Sequence, residues 1–241
     1  MGSRRPRFVH VIQRIMQARP EVTDPVAEIE RRAVTIEGKV VTNPRDGSRR
    51  RPVVIRRQPP LRGEAKLEAA LGRFGLVVAG RTCLDVGAAA GGFTRVLLRR
   101  GAARVFAVDA GFGQLRGELR TNPRVVNLER TNLADLPLGM PPRLRIGVVT
   151  VDMSYLSIAD AVPQLEPLKL ASDADLVALV KPMFELHPGA LPPAADGPEL
   201  GLARAEEGVE RAERWRVVST LPSPIAGSRG SREWLLHASR I

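Results

Sequence analysis

The sequence predicts an α/β protein, in which a parallel sheet with helices on both faces follows a small basic α+β module. Short runs that are apolar almost throughout alternate with segments of helical spacing, which is typical of parallel strands buried on both faces. A glycine-rich turn follows the first run, and several runs end on a charged residue. Two last patterns, at Val217–Thr220 and Glu233–His237, predict an antiparallel finish to the sheet. The parallel runs are Cys83–Val86, Val105–Asp109, Arg124–Leu128, Ile146–Asp152 and Leu176–Lys181.

Length and composition limit the class of protein. At 241 residues the chain can bury a full α/β core and still carry an additional module. Cys83 is the only cysteine, which excludes a disulfide scaffold, and with three dispersed histidines we expect no metal site. No apolar run approaches the length of a membrane span, so we expect a cytoplasmic protein with no membrane partner. The sequence leaves the oligomeric state open.

The first quarter of the chain carries most of the formal net charge of +11. Between Met1 and Lys66 there are 16 Arg and Lys residues against 7 Asp and Glu residues. This concentration favours a surface that faces a polyanion, with a solvated arginine-rich face as the alternative. Phe8 is the only aromatic residue in positions 1–57, so a base-stacking platform is not expected there. The candidate RNA-phosphate contacts are Arg49, Arg50, Arg51, Arg56 and Arg57.

Proline and helical spacing predict where the basic module ends. Helical apolar spacing over Val9–Met16 and Val26–Arg32, followed by a hairpin pattern over Val34–Val41, indicates a small α+β unit. The segment Gln58–Pro60 then breaks regular structure. An amphipathic helix over Lys66–Phe74 leads into the first buried strand. We therefore divide the chain into a basic module at 1–57, a linker at 58–65 and a larger domain at 66–241.

The turn after the first strand contains three glycines, Gly87, Gly91 and Gly92. Ala89 stands where a dinucleotide-binding turn has its middle glycine, so a pyrophosphate fits poorly. S-adenosylmethionine has no phosphate, and its amino-acid end, sulfonium and ribose diol suit carboxylates beside such a turn. Asp85 precedes the turn and Asp109 ends the next strand, where an acid can bind ribose hydroxyls. We interpret the pattern as a site for S-adenosylmethionine, with a merely structural connection as the alternative.

Charged side chains mark the carboxyl ends of the predicted parallel strands. Asp85, Asp109, Asp152 and Lys181 all fall at or just beyond such ends. Ligands of doubly wound sheets bind at this edge of the sheet. The sequence therefore predicts one site to which these residues belong.

Seven motifs spread from Leu61 to Ile241 carry a family resemblance. They are Arg62–Leu71, Leu84–Gly87, Gly91–Thr94, Arg99–Ala102, Val108–Leu115, Leu128–Asn132 and Val180–Glu185. Together they resemble the TlyA (haemolysin A-like) family of FtsJ-type ribosomal RNA methyltransferases. The resemblance implies a Rossmann-like class I methyltransferase domain that uses S-adenosylmethionine to methylate ribose 2'-hydroxyls.

The resemblance also implies site residues. It places a Lys-Asp-Lys-Glu catalytic tetrad at Lys66, Asp152, Lys181 and Glu233. A ribose hydroxyl is a poor nucleophile and needs a base, so we assign Lys181 as the base and Lys66 as a second cation beside it. The two acids would orient the amines. The expected cofactor contacts are Asp85, Gly87, Gly91, Gly92, Phe93, Asp109, Asn132 and Asp152.

The chain departs from the family pattern at three places. The basic module resembles the small RNA-binding fold of the family only distantly. Leu186–Pro198 is rich in proline and alanine where the family has a glycine- and lysine-rich loop, and Met153–Tyr155 also differs from the family. We expect an enzyme that methylates a ribose 2'-hydroxyl of structured RNA, ribosomal RNA above all. The alternatives are a relative that methylates a small molecule and a non-catalytic RNA-binding relative.

Overall fold

The computed structural model describes most of the chain, which divides into two compact units, Met1–Pro59 and Pro60–Ile241. The described residues are 9–18, 20, 22, 24–30, 34–36, 39–45, 47–48, 53–55, 61–136, 141, 144–186, 197–227 and 230–241. The five arginines predicted to contact RNA lie outside these ranges. None of the described helices is both long enough and apolar enough to cross a bilayer.

The first unit combines two helices with short antiparallel strands. Its elements are β1 (Val9–His10), α1 (Val11–Ala18), α2 (Pro25–Glu30), β2 (Val34–Ile36), β3 (Lys39–Val40), β4 (Gly47–Ser48) and β5 (Val53–Ile55). Strand β2 pairs antiparallel with β3 and β5, and β1 pairs with β4. Thr35 lies opposite Val40, as a hairpin over 34–41 requires. A small core forms because the apolar faces of the helices and β2 meet, with Val11, Ile15, Ile29, Val34 and Val41 buried.

The second unit contains one seven-stranded sheet. Its strands are β6 (Thr82–Val86), β7 (Arg104–Asp109), β8 (Val125–Glu129), β9 (Ile146–Val151), β10 (Leu170–Val180), β11 (Trp215–Pro222) and β12 (Trp234–Arg240). The order across the sheet is β11-β12-β10-β9-β6-β7-β8. Pairing is parallel from β10 to β8, and β12 is antiparallel to both of its neighbours. The predicted α/β class and antiparallel finish are confirmed.

Helices and short turns of 3-10 helix connect these strands. The described helices are α3 (Arg62–Phe74), α4 (Gly92–Arg99), α5 (Gly117–Arg120), α6 (Ile158–Ala161), α7 (Pro182–Glu185) and α8 (Gly197–Arg211). Leu133–Asp135 and Val162–Leu165 form 3-10 turns. Apolar side chains alternate between the two faces of the sheet, so Leu84 and Val86 join one buried cluster while Cys83 joins the other. Both faces are thus covered.

Two element boundaries differ from the sequence prediction by at least four residues. Helix α3 begins at Arg62 instead of Lys66, because the Glu64 side chain accepts the Leu61 backbone N–H at 3.0 Å and caps the first turn. The end of the predicted 58–65 linker is therefore helical. Strand β10 begins at Leu170 instead of Leu176, and Ser172, Asp173 and Asp175 interrupt the apolar pattern of the added residues. The register with β9 shifts in the same stretch, between Leu170 and Asp175.

Candidate active site at the carboxyl ends of the parallel strands

Two adjoining cavities lie at the carboxyl edge of the sheet. The larger has a volume of about 630 Å³ and the smaller about 280 Å³. Both are lined by Gly87, Ala89, Asp152 and Ser154, so they share a wall. The larger cavity also takes Lys66, Lys181 and Glu233, and the smaller takes Asp109. The strand ends thus bring most of the predicted charged residues to one place.

The turn after β6 is tied to the next strand by its backbone. The N–H groups of Gly87 and Ala88 both donate to the Val108 carbonyl, at 2.9 and 3.0 Å. Gly87 has a φ of 80°, and a β-carbon there would lie 2.3 Å from the Asp152 carbonyl oxygen. Only glycine fits this position, because any side chain would force β6 and the segment after β9 apart.

Asp109 lines the smaller cavity and accepts hydrogen bonds from two backbone N–H groups beside it. Its Oδ2 accepts the Ala89 N–H at 2.8 Å, and its Oδ1 accepts the Gly111 N–H at 2.7 Å. Ala89 has a φ of 45°, a left-handed conformation that costs a non-glycine residue about 1–2 kcal/mol. The Asp109 hydrogen bond offsets part of that strain. A carboxylate at the end of β7 therefore organises the turn and also faces the cavity.

Asp85 does not line either cavity. It is fully buried, with its two oxygens accepting the hydroxyls of Thr94 at 2.5 Å and Thr150 at 2.9 Å. Burial raises its pKa to about 6; the threonine hydrogen bonds oppose this shift, and the nearby Asp152 charge adds to it. Asp85 thus ties β6 to α4 and β9 below the turn.

Four further residues predicted to contact the cofactor lie outside both cavity linings. Gly91, Gly92, Phe93 and Asn132 are absent from both linings. Gly91 precedes α4 with a φ of 93°, and Phe93 is buried. The smaller cavity is instead lined by several residues that the sequence analysis did not select: Gln114, Thr131, Leu133, Met153 and Tyr155. Gln114 and Thr131 belong to two of the seven motifs, Leu133 follows one of them, and Met153 and Tyr155 lie in the segment that departs from the family pattern.

Four predicted catalytic residues form two ion pairs on the wall of the larger cavity. Lys66 Nζ lies 2.5 Å from Glu233 Oε2, with both side chains more than nine-tenths buried. Lys181 Nζ lies 2.6 Å from Asp152 Oδ1 and also donates to the Met153 carbonyl at 2.8 Å. Each lysine therefore has its own carboxylate. Residues from α3, from the segments after β9 and β10, and from the residue before β12 meet here.

The family comparison agrees with this geometry. A family model described as FtsJ-like methyltransferase matches residues 61–240. The 16S/23S rRNA (cytidine-2'-O)-methyltransferase TlyA of Mycobacterium tuberculosis is 43% identical over 182 residues, which are 73% of this chain and 66% of that protein. The chain thus matches just under two thirds of that relative's length.

Two further relatives match at lower identity. Hemolysin A of Brachyspira hyodysenteriae is 34% identical over 187 residues, which cover 73% of this chain and 75% of that protein. A crystal structure of a Lactococcus lactis protein described as a hemolysin superposes with a TM-score of 0.68 at 31% identity, covering 75% of this chain and 88% of that one.

Proposed function

Because the chain belongs to the FtsJ-like methyltransferase family, in its TlyA (haemolysin A-like) branch, we propose that it transfers a methyl group from S-adenosylmethionine to a ribose 2'-hydroxyl of ribosomal RNA. The observation that supports this most is the pair of ion pairs, Lys66 with Glu233 and Lys181 with Asp152, on a cavity that shares a wall with a second, carboxylate-rimmed cavity. Two adjoining cavities suit a reaction between a cofactor and a separate substrate.

The smaller cavity has the chemistry that S-adenosylmethionine requires. Its lining is partly apolar, through Val86, Val108 and Leu133, and the Asp109 carboxylate lies at one side. Each Asp109 oxygen accepts one backbone N–H and keeps a further lone pair for a ribose hydroxyl. Asp152 lines both cavities and would face the junction between cofactor and substrate. When bound, the cofactor would supply an electrophilic methyl group on a sulfonium.

Lys181 is the proposed general base. In its neutral form its Nζ would accept the proton of the 2'-hydroxyl as the oxygen takes the methyl group, and the electron pair of the broken methyl–sulfur bond would stay on the departing thioether. As an ammonium group, Nζ can donate to Asp152, the Met153 carbonyl and Ser154 together. The neutral amine would keep two of these hydrogen bonds, which would orient its lone pair toward the hydroxyl proton. Lys66, held by Glu233, would place a second cation beside the reacting hydroxyl. The lysines orient the nucleophile and the acids keep them in place.

Ribosomal RNA is the proposed substrate because of the mycobacterial relative's activity and the basic first quarter of the chain. The larger cavity, with a volume of about 630 Å³, has room for an extruded nucleotide. Arg62 and Arg232 are both part of its lining, which suits an anionic substrate. We propose that the basic module at 1–57 supplies additional phosphate contacts outside the active site.

The decisive experiment is transfer of a labelled methyl group to isolated rRNA, to ribosomal subunits and to small-metabolite extracts. The proposal expects label in RNA, located on a ribose oxygen by nuclease digestion and mass spectrometry. Label on a base nitrogen would refute the ribose target. Label in metabolites alone would establish the small-molecule alternative, and RNA binding without transfer to any substrate would establish the non-catalytic one.

A further inference from the structure

Glu185 is a buried carboxylate that the catalytic scheme above does not use. It ends α7, four residues after Lys181, and is only 3% exposed. Its Oε1 accepts the Ile158 N–H at 2.7 Å, and its Oε2 is 3.4 Å from the Ala159 nitrogen. Within the described ranges it takes part in no ion pair. A buried carboxylate without a cation depends on its hydrogen-bond donors, so the contact with the first turn of α6 is the interaction to explain.

The segment from Lys181 to Glu185 holds one loop at two points. Lys181 Nζ donates to the Met153 carbonyl at 2.8 Å and to the Ser154 hydroxyl at 3.0 Å, at the start of the loop. Glu185 accepts from Ile158, where the loop ends and α6 begins. The loop between these anchors therefore cannot move without breaking bonds to one or both ends of the same five-residue segment.

Helix α8 packs against the start of α7 and against the first turn of α6. A β-carbon on Gly201 would lie 2.6 Å from Pro182 Cα, and a β-carbon on Gly208 would lie 2.3 Å from Ala159 Cβ. These close approaches fix the distance between the residue after Lys181 and the first turn of α6. Helix α8 thus packs against both segments that the Glu185 hydrogen bonds join, α7 and the first turn of α6.

Part of the loop that Lys181 and Glu185 contact lines the two cavities. Ser154 lines both, and Tyr155, which is 57% exposed, lines the smaller one. We propose that Glu185 is a positioning residue that sets the loop from Met153 to Ser157 against Lys181, and so fixes where cofactor and substrate meet. The inference rests on the proposed methyl transfer for its catalytic consequence. Its structural part, the tie between α7 and α6, does not depend on the substrate.

The test compares Glu185→Ala, Glu185→Gln and a control, Glu207→Gln. Alanine removes both acceptors, whereas glutamine keeps the volume and one acceptor oxygen. Glu207 is an exposed carboxylate on α8 that pairs with Arg211, so its amide variant removes a charge by the same substitution while Glu185 keeps its contacts. We expect kcat of Glu185→Ala to fall by at least about tenfold, with KM for S-adenosylmethionine within twofold, and Glu185→Gln to lie between it and the wild type. Glu207→Gln should stay within twofold of the wild type.

Hydrogen exchange at the Ile158 and Ala159 amides provides a readout that needs no activity. We expect both amides to exchange faster in Glu185→Ala, by at least about tenfold, and to be unchanged in Glu207→Gln. Unchanged exchange, or a kcat of Glu185→Ala within twofold of wild type, would overturn the inference while leaving the proposed function intact. A wild type that transfers no methyl group to RNA would overturn the proposed function. The exchange result would still show whether Glu185 holds the first turn of α6. If Glu185→Ala fails to fold, the near-isosteric Glu185→Gln variant decides in its place.

Discussion

Lys66 and Glu233 are 167 positions apart in the chain, yet their Nζ and Oε2 atoms lie 2.5 Å apart in a buried ion pair. The pair joins the first helix of the larger unit to the start of its last strand. Lys181 makes a separate pair with Asp152 on the same cavity. The site therefore forms only in the folded domain, since the paired residues come from its first helix and from the residue before its last strand.

Breaking the buried pair at one side should destabilise the protein. Lys66→Met leaves the Glu233 carboxylate buried without a cation, and such losses typically cost about 3–5 kcal/mol in the free energy of unfolding. The double variant Lys66→Met/Glu233→Gln should recover much of that loss but show no recovery of methyl transfer. Urea unfolding of the single and double variants measures this. A single-variant cost under about 1 kcal/mol would contradict the buried pair.

Replacing the proposed base should remove catalysis and leave cofactor binding nearly intact. We expect Lys181→Ala to lower kcat by about 10²-fold or more, because the hydroxyl proton then has no acceptor. Lys169→Ala is the matched control, since Lys169 precedes the other end of β10 and lines neither cavity. Single-turnover kinetics with saturating S-adenosylmethionine measures the chemical step. Wild-type turnover in Lys181→Ala would refute the tetrad mechanism.

Asp109→Ala should weaken the binding of S-adenosylmethionine and of its demethylated product. The variant removes the acceptor for the Ala89 and Gly111 N–H groups and the proposed partner of the ribose diol. We expect the Kd to rise at least about tenfold, which corresponds to about 1.4 kcal/mol. Calorimetry measures it, with Asp173→Asn, whose side chain is 84% exposed, as the control. NAD should bind poorly in the same assay, and equal affinity in wild type and Asp109→Ala would exclude the assigned site.

The stability of Glu185→Gln relative to wild type should depend on pH in a defined direction. Burial raises the Glu185 pKa to about 7 from its ordinary 4.5, an effect that the Ile158 and Ala159 N–H groups oppose and Asp160 reinforces. A carboxyl whose pKa is higher in the folded state stabilises the fold when protonated, and this contribution is lost as pH rises from 4.5 through 7. The charged groups facing it are Asp160 on α6 and Arg204 on α8, which donates to the Glu185 carbonyl. The Tm of Glu185→Gln relative to wild type should therefore rise from pH 5 to pH 8, and a difference that stays flat would contradict the shift.

Neutralising Arg49, Arg50, Arg51, Arg56 and Arg57 together should weaken RNA binding and its dependence on salt. Each lost phosphate contact should reduce the slope of log affinity against log salt by roughly 0.7 to 0.9, because fewer counterions are released. Specificity should change little, since such contacts position RNA without reading its bases. Affinity measured over a salt series, alongside methyl transfer to RNA, tests this. If the variant and the wild type show the same salt slope and the same methyl transfer to RNA, the basic module does not contact RNA phosphates as proposed.

The sequence by itself determined the class of the fold and the edge of the sheet that carries the site. Continuous apolar runs specify buried parallel strands, and the residues that end those runs must emerge at one edge. These are local properties that each segment carries independently of its neighbours. Asp109, Asp152 and Lys181 could therefore be placed beside one site without knowledge of any contact.

Which partner each charged residue takes was decided only by the tertiary structure. Asp85 ends up in the core because the register between β6 and β9 sets it opposite Thr150, whose hydroxyl it accepts. A one-residue slip would turn its side chain to the other face of the sheet. The pairing of Lys66 with Glu233 and the tie from Glu185 to Ile158 likewise follow from packing between distant segments. The amino-acid sequence determines which residue lies at the end of a strand. Strand register and helix packing determine which other residues its side chain contacts.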